Sequence, residues 1–285
     1  TAQGRTVLYL PWGSGPDRAG ISLGNESPTL GPSSFDVGAD GSVSLLDGLQ
    51  RRLAAFSARG RLTRSVPVGR VSPDADVAVA PNATYVLSSD GGGADRPLTM
   101  SAIRPRSRRG DPGGGGGGGH PPPLDVGGER PSFRALPLDE WRDGSADPGV
   151  PATVGRPLGD GSQLLSVLRG RTVRLAIVRD GRVERPVELT FGTDLGELAL
   201  AEVDGHGGYV VIVHVARGEP HPVDAYQVVH VIGSRVARTF AVARADFADA
   251  AALSRFRLGP DTWLYQLTSS PDGVRVLRYR IGGVS

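Results

Sequence analysis

Tight-turn signals punctuate this chain at nearly even intervals, and the apolar runs between them are only about four to eight residues long. The clearest stretch begins at Ser34. Ser34 to Val37 reads as a strand, Asp40-Gly41 as a two-residue hairpin turn, and Ser42 to Leu46 as the return strand. Arg51 to Phe56 is a third strand, Ala58-Arg59-Gly60 a turn, and Leu62 to Val68 a fourth. Four antiparallel strands in so short a stretch leave no room for a long helix. The breakers that enforce this are 42 Gly and 23 Pro among 285 residues.

The rhythm recurs. Asp76 to Ala80, a Pro81-Asn82 turn and Thr84 to Leu87 open a second unit. Pro97 to Ile103 and, after an interruption, Phe133 to Leu138 are its expected outer strands. A third unit runs through Gln163–Leu168, Val173–Val178, the Asp180-Gly181 turn and Val183–Phe191. A fourth holds Leu198–Val203, Tyr209–Ala216, Tyr226–Ile232 and Val236–Ala241. The last has Phe256–Leu258, Trp263–Leu267, an Asp272-Gly273 turn and Val274–Ile281. Ala245 to Ser254 is the one helical candidate, and Thr6 to Leu10 is a lone first strand. Residues 104–161 break the pattern with 15 Gly and 10 Pro in 58 residues, including the run Gly113 to Gly119. Such a segment buries too little to offset its ordering entropy, so it reads as an insertion, with Phe133 to Trp141 returning to the body. The remaining 227 residues, at roughly 40 to 45 per four-stranded blade, suffice for five or six blades. The expected fold is all-β: one domain spanning 1–285, a five- or six-bladed β-propeller closed by the N-terminal strand.

The first unit carries a resemblance. Phe35-Asp36-Val37, Asp40-Gly41, Val43 to Asp47, then Arg51-Arg52 leading to Phe56, and Gly60-Arg61-Leu62 resemble an NHL-type propeller repeat. Gln50 stands near the place of the family's usual Asn. The last unit echoes the pattern weakly. The resemblance implies a propeller that serves as a binding scaffold far more often than as a catalyst. It also implies that Asp47 and Arg52 form a structural charge pair at a blade turn.

Composition removes several chemistries. With no Cys there is no disulfide, thiolate metal site or Cys nucleophile, and with no Lys there is no Walker phosphate loop. No run of 18 apolar residues exists to span a membrane. All 32 cationic side chains are Arg, set against 30 acids. That usage, with abundant Ala, Gly and Pro, fits a GC-rich bacterial genome. Thr1 stands where an initiator Met would, so the chain is either a fragment or, the favoured reading, an exported protein whose leader was removed. Gly20-Ile-Ser22-Leu-Gly24 has the letters of a nucleophile elbow but sits in a loop without the strand and helix an elbow needs.

Two groups merit a site reading. Arg104, Arg106, Arg108 and Arg109 put four charges in six residues within the insertion. They are the candidate binding residues, although no aromatic interleaves them as nucleic-acid contact would favour. His214 and His230 face each other on one sheet surface if their strands pair around residue 222, where they would begin a metal site. Zinc needs three or four convergent ligands, so the bland reading is a hydrogen-bonded pair, and neither catalytic residues nor a cofactor are assigned. A channel metal of the propeller-enzyme kind is disfavoured because the chain has two Asn, Asn25 and Asn82, neither on an innermost strand of a strong unit. Three readings result. The first is a non-enzymatic exported binding or scaffolding module for a protein or cell-surface glycan. The second is a metal-dependent propeller-class hydrolase or lyase. The third is a self-assembling surface or filament subunit.

Overall fold

The computed structural model describes residues 4–24, 28–72, 75–80, 83–88, 99–103, 130–138, 141, 153–157, 161–217, 223–248 and 255–281. It is all-β, built of antiparallel sheets, and no helix longer than a turn occurs among the described residues. The chain divides into two compact units. One comprises residues 3–122 and 245–285, and the other comprises residues 123–244 with the first two residues.

The first unit contains three sheets. Strands β2 (Ser34–Val37), β3 (Val43–Asp47), β4 (Arg52–Phe56) and β5 (Leu62–Pro67) form a meander in sequence order. Strands β6 (Asp76–Ala80), β7 (Ala83–Ser88) and β8 (Thr99–Ile103) form a second. The third sheet has the order β1-β20-β19-β18, from β1 (Arg5–Pro11), β18 (Phe256–Leu258), β19 (Trp263–Ser270) and β20 (Gly273–Arg280). The lone first strand thus pairs antiparallel with the last, Tyr9 opposite Arg275 and Pro11 opposite Gly273.

Burial explains why β3 does not alternate like a half-exposed strand. Phe35, Val43, Leu45 and Phe56 pack with Leu8, Leu10, Tyr265 and Val276 on one face. Leu46 and Leu53 pack with Ala75, Val77 and Val86 on the other. The central sheet is covered on both sides, so every residue from Val43 to Asp47 is buried. Removing such side chains from water contributes about 1.5–3 kcal/mol each.

The other unit holds two sheets. One has the order β10-β11-β12-β13-β9, from β9 (Ser132–Ala135), β10 (Thr153–Pro157), β11 (Gln163–Arg169), β12 (Thr172–Arg179) and β13 (Arg182–Thr190). The other is the meander β14 (Leu195–Val203), β15 (Tyr209–Arg217), β16 (Val223–Ile232) and β17 (Arg235–Ala243). Leu175, Val187 and Leu189 of the first pack with Val211, Val213 and Val229 of the second.

Three expectations change. Phe133 to Leu138 does not extend the β6–β8 sheet; β9 pairs with β13 instead, Phe133 opposite Leu189. A charge ladder favours that partner, because Glu188 takes Arg134 at 3.1 Å and Arg174 at 2.9 Å on its two flanks. Leu136 and Trp141 are buried with Ala176 close by. Thr153–Pro157, read as part of the insertion, is a strand that pairs with β11. The start of the helical candidate is not helical: Asp246 bridges Ser269, and Ser269 Oγ accepts the Ala248 N–H at 2.7 Å. Strand β19 therefore takes up the backbone groups a helix would use. Residues 249–254 lie outside the described residues.

Turn chemistry is more varied than dipeptide reading implies. Asp180-Gly181 is a two-residue turn with both residues left-handed (φ +48° and +73°) between paired Arg179 and Arg182. Asp40-Gly41 belongs to a three-residue turn. Gly38 O accepts the Gly41 N–H at 2.9 Å, the Gly38 N–H donates to Ser42 O at 2.8 Å, and Gly41 takes φ +76°. Ala58-Arg59-Gly60 repeats this geometry, with Gly60 at φ +75°.

Gly273 is where β1 docks. A Cβ there would lie 2.3 Å from Leu10 O, at φ +153°. Gly273→Ala is expected to push β1 off β20, at a cost of about 1–3 kcal/mol. Denaturant unfolding and proteolysis of the N-terminal strand measure this, and an unchanged midpoint with unchanged cleavage contradicts it.

Candidate functional site

Three edge strands of the first unit lie side by side: β2 contacts both β6 and β18. Their polar residues converge. Arg257 on β18 is 2% exposed, and its Nη2 lies 2.5 Å from Asp76 Oδ1 on β6. The same Nη2 donates to Ser34 Oγ on β2 at 3.2 Å, and that hydroxyl donates to Asp76 Oδ1 at 2.5 Å. Arg257 Nε stands 3.9 Å from Asp36 Oδ1, while Asp36 Oδ2 accepts the Val79 N–H at 2.7 Å. Two carboxylates from neighbouring sheets are thus brought together, as a divalent cation would require, but the cation between them is a guanidinium. Among the described residues no three His, Asp or Glu side chains are grouped to hold a metal ion. Arg257→Met is expected to destabilise the fold by about 3 kcal/mol, because two carboxylates lose their shared cation. Adding Asp36→Asn and Asp76→Asn should recover part of the loss in urea unfolding; no loss in the single variant would contradict the cluster's role.

The turn after β3 is laced to the N-terminal loop. Asp47, fully buried, accepts the Gly20 N–H at 2.9 Å and the Gln50 N–H at 3.1 Å. Arg52 Nε lies 3.8 Å from Asp47 Oδ2, and its Nη1 donates to Pro16 O at 2.9 Å. The Asp47–Arg52 pair is thus present, and the Gln50 amide donates to Gly13 O and Arg18 O. Ser22, of the elbow-like letters, pairs with Leu30 in an isolated antiparallel bridge.

Beside this turn lies a cleft of about 280 Å³, lined by Leu30, Leu49, Val71, Arg51, Arg70 and Ser33 among others. Arg51 holds a left-handed backbone, φ +51°, uncommon for a residue with a Cβ. Both arginines are exposed, and neither makes an ion pair or side-chain hydrogen bond with any described residue.

The two histidines are not brought together. The strands pair around residue 220, so His214 stands opposite Tyr226 and His230 opposite Val210. Four positions along β16 separate them, about 13 Å by strand rise. Each takes its own carboxylate. His214 Nε2 is 2.6 Å from Asp224 Oδ1, which Arg244 also approaches at 3.3 Å. His230 Nε2 is 2.7 Å from Asp204 Oδ2, with both side chains buried. A carboxylate only accepts, so His230 Nε2 carries the proton, whereas His214 Nε2 also meets the donor Arg244 Nη1 at 3.2 Å. The adjacent strand signal for β15 and β16 was legible, whereas the register that separates the imidazoles is fixed by the pairing of the whole strands, Tyr209 opposite Val231 through Arg217 opposite Val223. Arg104, Arg106, Arg108 and Arg109 lie outside the described residues.

Burial raises the Asp204 pKa, but hydrogen bonds from His230 and from the Gly208 and His206 amides outweigh it and hold the carboxyl below its usual range. A carboxyl depressed on folding stabilises the fold above its unfolded pKa, and that contribution fades as pH falls through the folded value. Asp204→Asn is therefore expected to be less stable than the natural chain at neutral pH, with the gap narrowing below about pH 4. Urea midpoints across that range decide it; a pH-independent gap goes against the linkage.

No family model matches the chain, and no curated protein matches it. Solved structures to which it is similar include propeller-like proteins. Hydrazine synthase of Kuenenia stuttgartiensis is 14% identical, with 92% of this chain and 90% of that one covered and a TM-score of 0.41. A luciferin-regenerating enzyme is 9% identical, with 94% and 97% covered and a TM-score of 0.34. Virginiamycin B lyase of Staphylococcus aureus is 8% identical, with 94% and 89% covered and a TM-score of 0.23. Likeness this distant transfers neither activity nor ligand.

Proposed function

We propose that this chain is a non-enzymatic, extracytoplasmic binding module on an NHL-type propeller scaffold. The scaffold reading draws on the meander sheets, on the adjacent edge strands β18, β2 and β6, and on the pairing of β1 with β20. The observation that carries the binding reading is a contrast in how charge is used. Asp36, Asp76 and Arg257 engage one another, as do Asp47 with Arg52 and Asp204 with His230. The solvent-facing cleft instead presents Arg51 and Arg70 with no described counter-charge. Buried polar groups are committed to holding sheets together, whereas the charge at this cleft is left for a partner.

The Arg104–Arg109 segment, four cations within a Gly- and Pro-rich sequence, is proposed as a second contact to a protein or cell-surface glycan. Replacing Arg104, Arg106, Arg108 and Arg109 together by Ser is expected to weaken capture of partners from a surface extract of the source organism without changing the unfolding midpoint of the body. Capture equal to that of the natural chain would remove the segment from the interface.

A further inference from the structure

We propose that the cleft beside Arg51 and Arg70 seats a carboxylate flanked by aliphatic side chains, presented by an extended segment of a partner protein. The inference rests on the binding-module reading and gives that module a ligand chemistry. Two arginines line one cleft without a described counter-ion, and a guanidinium recognises a carboxylate with two parallel N–H donors.

The walls decide what accompanies the charge. Leu30, Leu49 and Val71 line the same cleft, and Leu49 is 41% exposed, an apolar side chain left in water beside two cations. Aliphatic walls suit Leu, Ile or Val on either side of the acid. No aromatic ring is among the described lining residues, so these offer no flat apolar platform on which a sugar ring would rest. A volume of about 280 Å³ is the scale of one or two side chains rather than a folded surface.

The seat is also held in advance. Arg51 occupies a conformation that Gly adopts at less cost, yet the position carries a long cation. Its carbonyl accepts the Val68 N–H at 2.8 Å, and its N–H donates to Gly48 O at 3.3 Å. Asp47, one turn earlier, fixes Gln50 and Gly20. The surrounding turn therefore over-determines the strained backbone, so the main chain that carries the cation is set before any ligand arrives.

The test uses the full chain and a labelled, C-terminally amidated peptide, Gly-Leu-Asp-Leu-Gly, followed by fluorescence anisotropy at low and at moderate salt. Binding is expected to weaken with salt and to fall roughly tenfold or more when the peptide Asp is replaced by Asn. Arg51→Gly and Arg70→Ala should each cause a loss of similar size. Arg51→Gly should leave the unfolding midpoint level or raise it, which separates lost recognition from lost fold. An amidated Asn peptide that binds as well as the Asp peptide overturns the proposal, as do variants that bind like the natural chain. An Asn peptide with a free C-terminus that regains affinity supports the carboxylate and assigns it to a chain end. An oligogalacturonate that binds more tightly than the peptide overturns the protein segment as occupant. So does a rise in solution mass that Arg51→Gly abolishes, since a second copy would then fill the cleft. If the full chain captures partners while the peptide result fails, the ligand chemistry falls and the binding-module reading stands. If the peptide binds but no partner is captured, the reverse holds.

Discussion

Arg257 carries a permanent charge into a place with almost no solvent, and the first unit is organised around compensating it. Burying an unpaired guanidinium costs several kcal/mol, so its neighbours must bring counter-charge and acceptors. They come from three edge strands: Asp36 and Ser34 from β2, Asp76 from β6, and the Phe256 carbonyl from β18 itself at 2.8 Å. Apolar packing alone is tolerant of small slides between sheets. A charge cluster is not, because a slide of one residue replaces a carboxylate with an apolar face. The cluster therefore adds register to a core whose bulk attraction comes from residues such as Phe35, Phe56 and Val276. It also fills the space between two carboxylates with a cation that the chain supplies itself.

The same logic recurs at lower stakes. Asp47 gathers the Gly20 and Gln50 amides and the Arg52 side chain, which ties the loop after β1 to the turn after β3. Asp204 gathers two amides and His230, which fixes the β14–β15 turn against β16. In each case one buried carboxylate satisfies several donors, the arrangement that makes a buried charge tolerable. Against that background the cleft beside Arg51 differs in kind: its charge is exposed, and its backbone is strained by the turn that Asp47 anchors.

Most strands were legible from residues alone because their turn residues are local. Asp180-Gly181 announces its hairpin through two residues that tolerate positive φ, and the structure uses both. Asp40-Gly41 announces a hairpin but not its length, since a three-residue turn with one left-handed Gly also ends in Asp-Gly. Phe133 was legible as a strand residue but not its partner; Glu188 recruits Arg134 across 54 positions of chain, and nothing local to Phe133 reports that. The site shows the same division. The Asp47–Arg52 pair is one that the NHL-repeat resemblance implies, and the two residues stand opposite each other on β3 and β4. The pairing of His214 with Asp224, and of His230 with Asp204, turns on a two-residue offset in the centre of one hairpin.

Tightly spaced turn signals by themselves determined that the described residues are all-β, and where most of the strands lie, though several run two or three residues longer or shorter than the local pattern marks. The cause is short-range: φ preferences of Gly and Asp and the alternation of Val, Leu and Phe act within a few residues. Tertiary structure alone decided which sheet receives β9 and β10, which carboxylates share Arg257, and that Arg51 and Arg70 stand together over aliphatic walls. Those outcomes depend on contacts between residues far apart in sequence, where the energies of burial and charge pairing are settled only once the sheets have met.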